Sequence, residues 1–319
     1  MLLRWDPTRT GLLRRQWETD LRRRFGGVRK EVEQLILGDD AFGLVPGVPF
    51  VLNVERQAWR FLSNEKKLEQ FRKWLEELVE RKILTTDAVN GQPWTAKYVE
   101  SAWKKGVVRA FVDARGRKLQ KTSDFFEGTK AEFLRAAFAQ PERLAKVRVL
   151  ATRAFESLRG VTQAMGTQMN RILATGIIQG QNPKQIAAEM SKSIRGLTKA
   201  RALAIARTEI IHAHAEGQLD SFEDLGEDVG VLAEWSTAGD DRVCSQCAAL
   251  EGAVFTIEEA RGKLPRHPNC RCAWIPADEV NLRTRKGKLQ RAVRKSIKGD
   301  KRSRWAGRSL ARKKKARKK

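Results

Sequence analysis

Histidine and cysteine are scarce in this 319-residue chain, with three of the first and four of the second. All four cysteines, Cys244, Cys247, Cys270 and Cys272, fall in one short stretch. A secreted disulfide scaffold spreads its cysteines through a small chain, so this distribution points to a reducing compartment and one local site. Long apolar runs are also missing. The longest uncharged run, Ala41 to Val54, contains Pro46 and Pro49. It falls short of the ~20 residues that a membrane span needs. Arg4 and Asp6 interrupt the only early apolar residues, so no signal peptide is expected. No Ser-His-Asp set, phosphate-cradling glycine loop or dinucleotide fingerprint is visible, and no small-molecule substrate is expected.

What is abundant is positive charge: 63 Lys+Arg stand against 38 Asp+Glu, a net of +25. Such an excess suggests a polyanionic partner. It is concentrated at the C-terminus, where Asn281–Lys319 holds 19 basic residues and one acid, Asp300. The apolar fraction of 41% suffices for a buried core, so disorder throughout is excluded.

Periodicity predicts a mostly α-helical chain. Leu13, Trp17, Leu21, Phe25, Val28, Val32 and Leu35 recur at steps of three and four, marking a helix over about Leu12–Leu37 with a weak point at Gly26-Gly27. Gly43–Val54 reads as extended. A helix capped by Ser63 or Asn64 buries Leu68, Phe71, Leu75 and Leu78, and another spans about Thr95–Val112 with Tyr98, Ala102 and Trp103 inward. Ala114–Asp124 reads as a linker or hairpin. Helices then follow at Thr129–Phe138, Glu142–Leu158 behind Pro141, Val161–Ile178 ending at Gly180, one begun by Asn182-Pro183, and Thr198–Leu225. From Gly226 the pattern changes to short strands at Val231–Ser236, Ala253–Thr256 and Arg271–Ile275, with a short helix at Ile257–Arg261. The expected divisions are an N-terminal helical region (1–125), a central helical region (126–225), a small β-rich, α+β module (226–280) and a basic tail (281–319).

A module of that size cannot hold itself together by core burial alone. Its cysteines read Cys244-x2-Cys247, then 22 residues, then Cys270-x-Cys272, with His267 just before the second pair. Thiolates and imidazole together select zinc, so a structural Zn²⁺ held by four of Cys244, Cys247, His267, Cys270 and Cys272 is expected. An iron–sulfur cluster, free thiols and disulfides are the alternatives. Cys270 and Cys272 share a face of an extended strand, so one can bind while the other packs inward.

Arg207-Thr208-Glu209, then Glu234-Trp235-Ser236-Thr237-Ala238-Gly239-Asp240-Asp241-Arg242-Val243-Cys244, then Cys247, Leu250-Glu251-Gly252 and His267-Pro268-Asn269-Cys270-Arg271-Cys272 follow one another. This order resembles the phage Mu F-like domain of tailed-phage minor head proteins, the head morphogenesis family, over about Val161–Pro276. The resemblance implies a structural, non-enzymatic protein of procapsid assembly, found in the phage head and in the host cytoplasm during assembly. It implies association with the portal and with capsid or scaffold components, and contact with DNA. Arg207 or Glu209 either hydrogen-bonds to the cysteine module or serves as surface charge. His212 and His214, two apart on a helix, are expected to be ordinary helix residues, and Asp240-Asp241-Arg242 a polar turn.

Two rival readings have concrete content. A zinc-stapled HNH-like nuclease needs a general-base histidine besides the ligands of a catalytic metal, and only His267 lies in the module. A cellular nucleic-acid-binding protein accounts for the basic tail but leaves the Mu F-like order unexplained. In the tail, Lys313, Lys314, Lys315, Arg317, Lys318 and Lys319 have nothing apolar beside them to bury. Disorder is expected there, with sequence-indifferent contact to DNA phosphates.

Overall fold

The computed structural model describes residues 6–43, 66–116, 129–225 and 231–277. The extended reading past Gly43, the caps at Ser63 and Asn64, and the tail with its six terminal cations lie outside these residues. The protein is mostly helical with a small three-stranded sheet. Helices α1 (Gly11–Leu37), α2 (Lys67–Lys82), α3 (Ala96–Gly116), α4 (Lys130–Ala139), α5 (Pro141–Ile178), α6 (Pro183–Leu197) and α7 (Leu203–Leu225) precede strand β1 (Leu232–Ser236). A short helix α8 (Ser245–Ala248), β2 (Val254–Phe255), α9 (Ile257–Ala260) and β3 (Ala273–Ala277) follow. Two compact units emerge, neither continuous in sequence.

One unit comprises Arg14–Lys97 and Val149–Ala206. Here α1 buries Trp17, Leu21, Phe25, Val28, Val32 and Leu35, the expected stripe, and runs unbroken through Gly26-Gly27. Arg24 stacks over the Trp94 ring at 4.1 Å and donates to the Lys82 carbonyl at 2.8 Å, tying α1 to the end of α2. In α2, Phe71, Leu75 and Leu78 are buried as expected, but Leu68 is 39% exposed because it sits in the first turn. The two helices expected at Glu142–Leu158 and Val161–Ile178 are one, α5. Its buried face, Leu158, Val161, Met165, Met169 and Leu173, continues without a phase break past Gly160. That packing outweighs the ~1 kcal/mol a helical glycine costs. Asn182 caps α6 with Pro183 in its first turn, as expected. The helix expected from Thr198 opens instead with a π-helical turn, Thr198–Ala202, before α7.

The other unit comprises Met1–Leu13, Tyr98–Arg148 and Arg207–Lys319, of which the described residues form α3, α4, most of α7 and the sheet module. Ala114 to Gly116 complete α3 rather than begin a linker. Thr129 closes a capping box with Glu132 at the start of α4. Helices α3 and α7 cross at very close range. A Cβ on Gly106 would lie 2.1 Å from the His214 carbonyl oxygen, and one on Gly217 would lie 2.3 Å from that of Trp103. Each glycine thus admits the other helix's backbone. Trp103 Nε1 donates to Asp220 at 2.8 Å and Ser221 to the Val107 carbonyl at 3.3 Å across this crossing. The sheet order is β2-β1-β3, with both pairings antiparallel. Gln218 of α7 meets the free side of β3 with both ends of its amide. Its Nε2 donates to the Trp274 carbonyl at 2.7 Å, and its Oε1 accepts from the Trp274 N–H at 3.1 Å.

Candidate metal centre

The three strands and the short helix expected after Gly226 are present within a residue or two of the expected bounds. Trp235 and Trp274 meet edge-to-face at 5.3 Å across β1 and β3, and Phe255 meets Trp274 at 5.7 Å. Cys247, Cys270 and Cys272 join this core with Leu264, Ala260 and Phe222 of α7. The cysteines are therefore part of the packing, not appendages of a surface loop.

Cys244 is the N-cap of α8, and its sulfur accepts from the Cys247 N–H at 3.4 Å, so the Cys-x2-Cys turn aims a backbone donor at sulfur. His267 Nε2 lies 3.2 Å from the sulfurs of both Cys244 and Cys247. Its Nδ1 lies 2.8 Å from the Pro268 carbonyl oxygen. A carbonyl can only accept, so Nδ1 carries the proton and Nε2 presents its lone pair to the sulfurs, the tautomer a metal-binding imidazole needs. Cys247 and Cys270 stand 3.9 Å apart. Tetrahedral bonds of ~2.3 Å to zinc set sulfurs about 3.8 Å apart, so this spacing already suits a shared ion.

Two sets of potential ligands result: Cys244, Cys247 and His267, and Cys247, Cys270 and Cys272. Cys247 is common to both. All five residues singled out from the sequence are brought together. Cys270 and Cys272 are both buried beside Cys247, and strand β3 begins just after them at Ala273. The space lined by Cys244, Cys247, His267, Asn269, Arg271 and Cys272 measures about 20 Å³, room for one ion or water.

The thiols constrain one another's protons. Hydrogen bonds from Cys247 and Cys272 hold the Cys270 thiol down to about 2. The same contact with Cys270, with Cys272 and burial added, pushes Cys247 far up. For Cys272 the contact with Cys247 lowers the value, but those with Cys270 and burial outweigh it and push it up. One thiolate forms easily and a second beside it is costly. A divalent cation reverses that cost, so the donor set fits a soft-ligand metal such as zinc.

Residues that the sequence offered only as motif members, surface charge or a polar turn hold the ligand loop. Asn269 adopts a left-handed conformation, φ 64°, between His267 and Cys270. Its Oδ1 accepts from Arg207 of α7 at 3.0 Å, so of the two readings of the Arg207–Glu209 stretch the hydrogen bond to the module holds for Arg207. Arg271 grips Asp240 with two hydrogen bonds of 2.7 and 2.5 Å, and the grip holds the Asp240 carboxyl well below the usual range. The Asp240-Asp241-Arg242 segment is the expected polar turn, and it closes one side of the site. Farther along α7, Glu216, Asp220 and Glu223 receive Arg261, which follows α9, so the same helix also anchors the β2–α9 side. Burial alone would raise the Asp220 carboxyl, but the Lys146 ammonium at 2.7 Å and the Trp103 indole bring it below its ordinary value. The sequence signal for this anchor was the step of four and three between the acids on one helix face.

His212 and His214 do not join the metal centre. His212 lies 4.0 Å from both Glu209 and Glu216 on its own helix, and His214 is fully buried. Among the described residues, no helix is long and apolar enough to cross a membrane.

Residues 167–275 match the family model described as Phage Mu protein F like protein, as the residue order from Arg207 to Cys272 led us to expect. Minor head protein GP7 of Bacillus phage SPP1 is 30% identical over an alignment of 117 residues, with 32% of this chain and 38% of that relative covered. The matched stretch thus spans under two fifths of the relative's length. No solved structure matches.

Proposed function

Because residues 167–275 form a Phage Mu protein F-like region, we propose that the chain is a minor head protein of a tailed phage or prophage. In this reading it acts in head morphogenesis and is carried in the virion, after assembly in the host cytoplasm beside the portal and the capsid or scaffold components. The observation that carries this reading is a convergence. The residues whose order gave the resemblance, Arg207, Trp235, Asp240, Cys244, Cys247 and His267 to Cys272, meet in one built module. Its role is structural rather than enzymatic. The cavity is ion-sized, and a zinc with four protein ligands keeps no open position for chemistry.

When bound, zinc would supply the folding energy that so small a sheet lacks. Cys247 is its indispensable ligand, since it belongs to both ligand sets, and Cys244, His267, Cys270 and Cys272 compete for the other three positions. His267 enters through Nε2. Arg271 and Asn269 orient the loop that carries it. The basic tail, Asn281–Lys319, contacts packaged DNA through its phosphates without reading bases, with Lys313, Lys314, Lys315, Arg317, Lys318 and Lys319 among the contacts.

Co-expression with the neighbouring portal and capsid genes, followed by particle purification, tests the role. The chain should co-purify with heads, and heads that assemble normally while excluding it overturn the reading. Metal analysis of protein purified without chelator should give about one zinc per chain, and less than a tenth of an equivalent refutes the metal. Metal-dependent cleavage of plasmid DNA by the pure protein, lost on His267→Ala, would replace the structural reading with the nuclease.

A further inference from the structure

Most described cations on the first three helices have acidic partners. Arg22 pairs with Glu18, Arg23 with Asp20, Arg72 with Glu76, Lys73 with Glu69, and Lys104 with Glu100, each within one helical turn. Helix α6 and the π turn after it break that pattern. From Pro183 to Ala202 there are five basic residues and one acid, Glu189. Lys184, Lys192, Arg195 and Lys199 are exposed, and among the described residues none has an ion-pair partner.

Their placement is regular. At about 100° per residue, these four fall within roughly a quarter-turn of one another. They lie opposite the face that buries Ile186, Ala187, Met190 and Ile194. From Lys184 to Lys199 the rise is about 22 Å. Ala188, the other exposed position within this arc, is too small to hold a partner away from the backbone. Gln185, the neighbour with amide chemistry for reading bases, commits its Oε1 to the Asn182 N–H in the α6 capping box, so it cannot pair with a base through both ends of the amide.

We infer that this ridge is a second phosphate-binding surface, which seats the backbone of duplex DNA along α6 independently of the tail. The inference rests on the proposed contact with DNA and assigns it a folded element. Along 22 Å of axis a duplex presents about 13 phosphate charges, one per ~1.7 Å, so four cations on a low ridge can each meet one. Four such contacts contribute about 3.6 to the slope of log affinity against log salt. With no amide free to read a base through both its ends and no acid within the arc of the four cations, the contact is indifferent to sequence.

The test uses the full chain and a fluorescent mixed-sequence duplex, with affinity measured from low to moderate salt. One variant carries Lys184→Gln, Lys192→Gln, Arg195→Gln and Lys199→Gln. A charge-matched control carries Arg22→Gln, Arg23→Gln, Arg72→Gln and Lys73→Gln. A third replaces the six terminal tail cations by Gln, and a fourth combines ridge and tail changes. The ridge variant should lower the slope by three to four, both alone and in the tail-neutralised chain. The control should lower it by less than one, and all four should keep the parent's helical signal. If the ridge variant and the control behave alike, the ridge is not a DNA surface and the tail reading is judged by the tail variant alone; if the tail variant alone abolishes binding, the ridge reading falls and the tail reading stands. If the ridge variant loses the slope and the tail variant does not, the ridge stands and the tail reading falls.

Discussion

Gly217 offers the sharpest test of the α3–α7 crossing. A methyl group at this position would sit 2.3 Å from the Trp103 carbonyl oxygen, 3.0 Å from its carbonyl carbon and 3.1 Å from its ring. The nearest atoms are backbone, so no side-chain rotation relieves the clash, and the helices must part by about an ångström. In a helix that is free of neighbours, Gly→Ala stabilises by roughly 0.5–1 kcal/mol. Forcing extra volume into a close-packed contact costs about 1–3 kcal/mol. Parting the helices also strains the Trp103–Asp220 hydrogen bond, 2.8 Å long and buried, which is worth about another 1–2 kcal/mol because its acceptor is charged. Gly217→Ala should therefore destabilise by about 2–4 kcal/mol. Gly160→Ala is the control: nothing lies within 4 Å of its Cβ in α5, so it should be neutral or stabilising. Chemical denaturation of the parent and both variants decides between them. Equal gains in stability for Gly217→Ala and Gly160→Ala would refute the crossing.

Cys247→Ser should lower retained zinc under chelator challenge more than Cys244→Ser or His267→Ala does, because Cys247 belongs to both ligand sets; equal losses from all three would remove its special place. His214 gives a pH signature: burial, with Arg109 and Lys105 adding to it, outweighs Asp6 and Gln218 and lowers its value to about 3 from an ordinary 6.5. The unfolded chain then takes up the proton first, so this contribution is full above pH 6.5 and is lost as pH falls toward 3. Between pH 7.5 and 5 the parent should lose about 2 kcal/mol that His214→Leu does not lose, and parallel stability profiles would show that His214 is not held neutral. Gln218→Ala should leave the N–H and carbonyl of Trp274 without partners, costing about 2 kcal/mol or more and weakening zinc retention through β3. An unchanged chelator half-life would separate α7 from the metal loop.

The amphipathic stripes were legible from the sequence because burial imposes a period on it. Trp17 to Leu35 on α1 and Phe71 to Leu78 on α2 announced both helices and their inner faces. The candidate ligands were legible because cysteine is otherwise absent from the chain, so its clustering around His267 stands out. Phase errors arose where a residue's local preference opposed its neighbours. Gly160 reads as a break, yet the apolar face carries through it, and the π turn at Thr198–Ala202 leaves no compositional mark. The supports of the site were less legible for a different reason: the stretch carrying Arg207 could be named, but not its partner. Gln218 to Trp274, Arg207 to Asn269 and Arg271 to Asp240 pair residues 31 to 62 positions apart, and nothing periodic encodes such partners. The Gly106–Gly217 crossing is similar, because each glycine alone reads as a weak spot in a helix.

The amide of Gln218 also determines what the sheet can do next to another chain. A three-stranded sheet has two open rims, and a rim with free N–H and carbonyl groups invites an extended segment to add itself as a fourth strand. At β3 the outward-facing groups of Trp274 are already taken by a side chain that behaves as a one-residue strand fixed on a helix. A second copy of the chain, however concentrated, finds no ladder to extend at that position. Growth from strand to strand is blocked there, so copies packed together must join through surfaces other than this rim of the sheet.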